Sequence, residues 1–243
     1  MNDITIHCSV CGHIGPVSRA GEKSTREAYR CSQCRCSLRF RDQASLIIDE
    51  YGLGMATNLE ELVGMGLLDK VRVYEAAFGG PYKRRIQQIP HYISSYFWED
   101  LKPGESKDGI RCEDLTKLTF PSDSFDLVIT SDIFEHVFNP DQAFSEIFRV
   151  LSHGGVHIFT IPIELPIPEK SVARAELKDG KIIHLKEPLY HRAGDGSKSL
   201  VVMDWGKDLF DLLAQIGFRT KAIRRSNCVK DFLPSISFIS QKI

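Results

Sequence analysis

Short apolar runs alternate with amphipathic stretches along most of the chain, and the clearest example runs from Phe120 to Pro162. Ser124 to Ser131 predicts a buried strand, because Phe125, Leu127, Val128 and Ile129 leave Asp126 as its one charge. A polar corner, Ser131-Asp132, follows, and then Ile133-Phe134-Glu135-His136. Asn139 suits a helix N-cap and Pro140 the first helical position, and Ala143, Phe144, Ile147, Phe148 and Leu151 recur at helical spacing, so a helix is expected from about Pro140 to Leu151. Gly154-Gly155 then makes a turn, and Val156 to Ile161 reads as a second buried strand stopped at Pro162. Strand, helix and strand in this order form a right-handed crossover that sets the polar corner at the carboxyl end of a parallel sheet, the edge where open α/β folds bind ligands.

The same reading extends to both sides. Val71 to Glu75 predicts the first strand of that sheet, left by the turn Ala76-Ala77-Phe78-Gly79-Gly80-Pro81, and Pro81 suits the start of the next helix. Tyr92 to Phe97 and Ile110 to Leu115 supply further strands. Lys207 to Ile216 is an amphipathic helix closed by Gly217, and Phe218 to Ile223 and Ile236 to Ser240 are the last strands. Upstream, Asp42 to Tyr51 resembles a helix, and Asn58 caps another from Leu59 to about Leu68. Residues 163–199 carry Pro166, Pro168 and Pro188 with His184, Tyr190 and His191 and no clear helix; an irregular segment of this length in a domain is usually a lid or a substrate wall. The organisation expected is a small module over 1–41, connecting helices over 42–70 and an α/β domain over 71–243 with the insertion at about 163–199.

Composition changes this picture at one end. With 42% hydrophobic and 26% charged residues the chain is ordinary for a globular protein. No apolar run approaches the roughly 18–20 residues of a membrane span and residues 1–10 lack the pattern of a signal peptide, so no membrane insertion and a cytoplasmic location are expected. Five of the seven cysteines crowd into residues 1–41. Cys8-Ser-Val-Cys11 and Cys31-Ser-Gln-Cys34 are two C-x2-C knuckles, 19 residues apart, which fits a four-thiolate structural Zn2+ site with no open position for water. Cys36 is a surplus thiol beside it. Residues 1–41 hold seven basic and three acidic side chains, +4 against a net charge of -1 for the whole chain, so this section is where a phosphate-bearing partner would dock. Arg35, Arg39 and Arg41 read either as phosphate or carboxylate ligands or as a solvated basic face.

FPSDSFDLVITSDIFEHV, followed by AFSEIFRVLSHGG and a strand ending in proline, resembles the central half of class I S-adenosylmethionine (SAM) dependent methyltransferases of the type 11-like kind. In that family a Glu-His pair precedes the helix, and the helix ends in Arg-Val-Leu, two residues and Gly-Gly; here Ser152-His153 stands where Lys-Pro is usual. The resemblance implies a Rossmann-like seven-stranded methyltransferase sheet beside the zinc-ribbon module, and SAM as cofactor. It places Glu75, Ala76, Gly79 and Gly80 at the cofactor turn, although the usual three spaced glycines are replaced by two alanines and an adjacent pair of glycines. It places Asp114 and Leu115 at the adenine edge, and Ser131 and Asp132 near the methionine end. Spacing from the glycine turn adds Glu99 as a candidate for the ribose hydroxyls. Methyl transfer to a hydroxyl needs a base, and His136, beside the polar corner, and His191, on the insertion, are the candidates. The expected acceptor is a small or carbohydrate-type molecule; the alternatives are RNA, met through the basic zinc module, and a non-catalytic scaffold that has lost SAM with its glycines.

Overall fold

The computed structural model describes residues 4–18, 24–193, 196–224 and 235–243. The cysteine knuckles organise the first unit. Strands β1 (Thr5–His7), β2 (Ile14–Ser18) and β3 (Arg30–Cys31) form an antiparallel sheet in that order. Both knuckles close the same way: the amide of Gly12 donates to the Cys8 carbonyl at 2.8 Å, and that of Arg35 to the Cys31 carbonyl at 3.0 Å. Each of these residues has a left-handed backbone, φ 70° at Gly12 and φ 63° at Arg35. Helices α1 (Leu38–Tyr51) and α2 (Leu59–Gly64) follow. α2 is capped as the sequence predicts, Asn58 accepting from the Glu61 amide, but it stops at Gly64, well short of Leu68. α1 starts four residues before Asp42 and runs straight across the expected boundary between small module and connecting helices.

The large sheet is assembled from β4 (Val73–Ala76), α3 (Lys83–Ile86), β5 (Tyr92–Tyr96), β6 (Ser106–Lys107), β7 (Ile110–Cys112), β8 (Phe125–Ser131), α4 (Pro140–Val150) and β9 (Leu151–Thr160). The insertion contributes β10 (Val172–Ala173), β11 (Ala175–Lys178), β12 (Lys181–His184), β13 (Tyr190–Arg192), β14 (Lys198–Leu200) and β15 (Met203–Asp204). The chain ends with α5 (Asp208–Ile216), β16 (Phe218–Arg224) and β17 (Ile236–Lys242). The sheet order is β16-β17-β9-β8-β4-β5-β7-β6. β7, β5, β4, β8 and β9 run parallel, β17 and β6 run against them, and β16, antiparallel to β17, runs with them again. This is the expected Rossmann-like α/β architecture, with the direction of winding reversing between β4 and β8, the switch point at which such sheets take ligands.

Three expectations need correction. The sheet has eight strands rather than seven, because β6 and β7 make a hairpin across Asp108-Gly109, whose φ values of 52° and 75° give the two-residue turn that matches strand twist. β9 starts at Leu151, not after the glycine pair, since Leu151 already pairs with Phe125. The insertion is not irregular: it is three antiparallel pairs, β10 with β15, β11 with β12 and β13 with β14.

Alternation along the central strands divides the interior. Tyr74, Val128 and Phe159 face α4 and α5 together with Phe144, Ile147, Leu209 and Leu213. Val73, Leu127, Ile129, Val156 and Ile158 face the opposite way and share one core with Ile47, Leu59, Leu62 and with Cys8, Val10, Cys11 and Cys31. The cysteine unit therefore packs into the same apolar interior as the sheet. No helix among the described residues is long and apolar enough to cross a membrane.

Candidate functional site

Register places the predicted cofactor residues along one edge. Ala76, the last residue of β4, sits opposite Ser95 of β5 and Thr130 of β8, and Ser131 lies opposite Thr160 of β9. The turn after β4 leaves room: a Cβ built on Gly79 or Gly80 meets nothing within 4 Å among the described residues, and Gly80 has φ 153°, which a side chain would strain. Glu75 is buried beneath this turn, and its Oε2 accepts from the Tyr92 hydroxyl at 2.6 Å. Burial pushes its carboxyl up to about 7, against the lowering effect of that hydrogen bond. Beyond β5, Phe78, Tyr96 and Trp98 meet edge to face, with centroids 5.1 Å apart for Tyr96 and Trp98 and 5.3 Å for Phe78 and Tyr96. This aromatic corner occupies the end of the second strand. Glu99 lies just past it on an exposed turn. Asp114 closes its own turn, Oδ1 accepting from the amide and hydroxyl of Thr116 at 2.8 Å each, and Leu115 behind it is buried.

The corner at Asp132 is built from three distant segments. Asp132 has φ 53°, and its oxygens accept from Arg26 Nη1 at 2.7 Å, Arg26 Nη2 at 2.9 Å and the Thr160 hydroxyl at 2.9 Å. Arg39 Nε lies 3.2 Å from the same carboxylate and also bonds Glu27 at 2.5 Å. Burial pushes the Asp132 carboxyl up, but the Arg39 and Arg26 guanidiniums outweigh it and hold it down at about 2. Asp132 thus tethers the cysteine unit to the carboxyl edge of the sheet. Gln43 of α1 docks on the same two strands: its Nε2 donates to the carbonyls of Thr130 at 2.9 Å and Ile158 at 3.1 Å, and its Oε1 accepts from Ser131 Oγ at 2.7 Å. The arginines read as a solvated face or a ligand site divide accordingly. Arg35 is exposed, whereas Arg39 is buried in the pairs just described and Arg41 is buried against the carbonyls of Tyr29 and Cys36. Sequence reasoning missed Arg26, Gln43 and Thr160; the Arg26–Asp132 pair spans 106 positions, and no local pattern encodes it.

His136 and His191 do come together, with Glu135 between them. Phe134–His136 is one turn of 3-10 helix, and the start of the strand leading to β15 ties it down, the Val202 amide donating to the Glu135 carbonyl at 2.7 Å. The two imidazoles meet edge to face with centroids 5.3 Å apart. His136 Nδ1 hydrogen-bonds the Leu200 carbonyl at 2.8 Å, which fixes a proton there and turns Nε2 toward Glu135. His184 lies exposed on β12.

The knuckle thiols Cys8, Cys11, Cys31 and Cys34 have all four sulfurs within 4.8 Å of one another. Cys8 to Cys34 is 3.7 Å and Cys11 to Cys31 is 3.8 Å. Four sulfurs at about 2.3 Å from one zinc ion are about 3.8 Å apart, so the donor set fits tetrahedral Zn2+ and leaves no position for substrate. Cys36 Sγ is a fifth sulfur, 3.1 Å from Cys34 and 3.5 Å from Cys8. Cys228 lies outside the described residues.

Residues 93–159 match the family model described as a methyltransferase domain. No curated protein matches the chain. Among solved structures it is similar to an S-adenosylmethionine dependent methyltransferase from Mesorhizobium loti, at 18% identity over 71% of this chain and 91% of that one, with a TM-score of 0.46. A methyltransferase of the same description from Clostridium acetobutylicum is 13% identical over 82% of this chain and 98% of that one, with a TM-score of 0.47. One from Listeria monocytogenes, described as putative, is 11% identical over 76% and 98%, with a TM-score of 0.46.

Proposed function

We propose, from the methyltransferase domain matched over residues 93–159, that this chain is an enzyme transferring a methyl group from SAM to a small-molecule or carbohydrate-type acceptor. The observation that carries the reading is the switch point between β4 and β8, where a roomy glycine turn faces a polar corner. Glu75, Ala76, Gly79 and Gly80 would line the cofactor turn, Asp114 and Leu115 the adenine end, and Ser131 the methionine end. SAM, when bound, supplies an activated methyl group; the chain's part is to orient the acceptor and exclude water. His136, just after β8, and His191, on the insertion, would stand where an acceptor approaches.

A small acceptor is favoured over RNA because, among the described residues of the cysteine unit, three of the five basic side chains are engaged within the protein. Arg26, Arg39 and Arg41 are engaged with Asp132, Glu27 and backbone carbonyls, and a phosphate backbone needs such groups free at the surface. The test is a calorimetric titration of zinc-loaded protein with SAM and, separately, S-adenosylhomocysteine. Micromolar binding of either is expected. Absence of both would leave a methyltransferase-like scaffold. Binding of RNA with a steep salt dependence would instead restore the RNA reading.

A further inference from the structure

We infer that Glu135, His136 and His191 form a second metal site, separate from the cysteine cluster, that takes a divalent transition-metal ion such as Zn2+, Co2+ or Fe2+. Their donor atoms all lie within 4.8 Å of one another. Glu135 Oε1 is 3.6 Å from His136 Nε2 and 3.5 Å from His191 Nδ1. These separations are too long for good hydrogen bonds, which for N–H···O fall at about 2.7–3.2 Å. They match the edges of a coordination tetrahedron, since ligands at about 2.1 Å from a common ion are about 3.4 Å apart.

A second observation points the same way. The Glu135 side chain is 1% exposed, and neither of its carboxylate oxygens has a hydrogen-bond partner among the described residues. A buried carboxylate without partners costs several kcal/mol unless a charge compensates it, and a cation held jointly by two imidazoles would do so. His136 is already set up as a ligand: its Nδ1 is bonded to the Leu200 carbonyl, the outer-sphere contact that fixes tautomer and ring direction in metal-binding histidines and leaves Nε2 as the donor. Two histidines and one carboxylate suit zinc and its neighbours rather than Mg2+ or Ca2+.

Three protein ligands leave positions for water or for an oxygen of another molecule. The side chains of His136 and His191 are 17% and 35% exposed, so the site is open to solvent on their side. On the methyltransferase reading, and only there, that oxygen is a hydroxyl of the acceptor, whose acidity the ion raises. His136 and His191 then act as ligands and not as bases.

The experiment is a titration with Co2+ at pH 7.5 of protein loaded with a single equivalent of zinc, which the four thiols take first, followed by visible absorption, on wild type, Glu135→Gln and His191→Ala. One equivalent is expected to bind with d–d bands and no sulfur-to-cobalt charge transfer, and each variant is expected to bind at least tenfold more weakly. His191 lies on a surface hairpin, so its replacement leaves the fold intact even if that of Glu135 does not. No uptake, equal uptake by wild type and His191→Ala, or a spectrum dominated by charge transfer from thiolates would overturn the inference. SAM is absent throughout, so a failed cofactor titration and a failed metal titration are separate results.

Discussion

Replacing Asp132 by asparagine removes the charge that holds Arg26 and Arg39 at the sheet edge while keeping the shape of the side chain. Two routes give the size of the effect. The Asp132 carboxyl lies at about 2 in the folded protein against an ordinary 3.8, a depression that corresponds to about 2 kcal/mol. Independently, removing one partner of a buried ion pair costs about 3–5 kcal/mol, and the lower end applies because Arg39 keeps Glu27. Urea unfolding of zinc-loaded protein at pH 7 should therefore show Asp132→Asn less stable by about 2–3 kcal/mol. Because the folded-state value is depressed, this stability is present above pH 3.8 and is lost as pH falls toward about 2. The gap between wild type and variant should thus be full at pH 5 and mostly closed near pH 2. The difference between the two proteins carries the prediction, since loss of thiolate-bound metal in acid acts on both. A variant within about 1 kcal/mol of wild type at pH 7, or a gap that does not change with pH, would refute the argument.

Cys31→Ser should lower zinc content by metal analysis by one ion per chain; equal content in wild type and variant would rule the cluster out as a zinc site. Gly79→Val should fold normally, because nothing crowds a Cβ there, yet weaken S-adenosylhomocysteine binding at least tenfold by filling the space over the turn. Unchanged affinity by calorimetry would move the cofactor elsewhere. Glu75→Gln should stabilise the protein in urea as pH rises from about 4.5 through about 7, reaching about 3 kcal/mol at pH 8. A raised carboxyl resists ionisation in the folded state and glutamine has no proton to lose. A variant less stable than wild type at pH 8 would show that the charge of Glu75 is compensated.

Hydrophobic spacing made the central crossover legible: Phe125–Ser131 and Pro140–Val150 lie within a residue of expectation, and Asn139 caps α4 by accepting from the Gln142 amide. Cysteine spacing likewise marked the four sulfurs that cluster. What stayed hidden falls into two kinds. The hairpins β6–β7 and β11–β12 carry a local signal, Asp108-Gly109 and Asp179-Gly180, each pair with positive φ in a two-residue turn. Their strands were too short and too polar for periodicity to register. Arg39, Arg41 and Gln43 carry none. Their polarity reads as exposure; Arg39 and Gln43 are buried because Asp132, Thr160 and Ile158 supply partners from more than 90 positions away, and Arg41 because the Tyr29 and Cys36 carbonyls close on it from within its own unit. Gathering Glu135 with His136 and His191 needed the insertion to fold back, which no spacing rule contains.

The shared interior of the cysteine unit and the sheet sets how the protein fails. An appended module that merely hangs beside a domain melts on its own when its metal is stripped. Here Cys8, Cys11 and Cys31 stand in one apolar cluster with Leu127, Ile129 and Ile158, and Arg26 closes on the carboxyl edge from the same unit. With zinc held by these thiols, metal free energy would be folding free energy for the whole chain. A chelator should bring on a single cooperative transition, and protease should cut the sheet as readily as the knuckles once zinc is gone. Zinc supply would act as a rheostat on the amount of competent protein, set at a point remote from the chemistry.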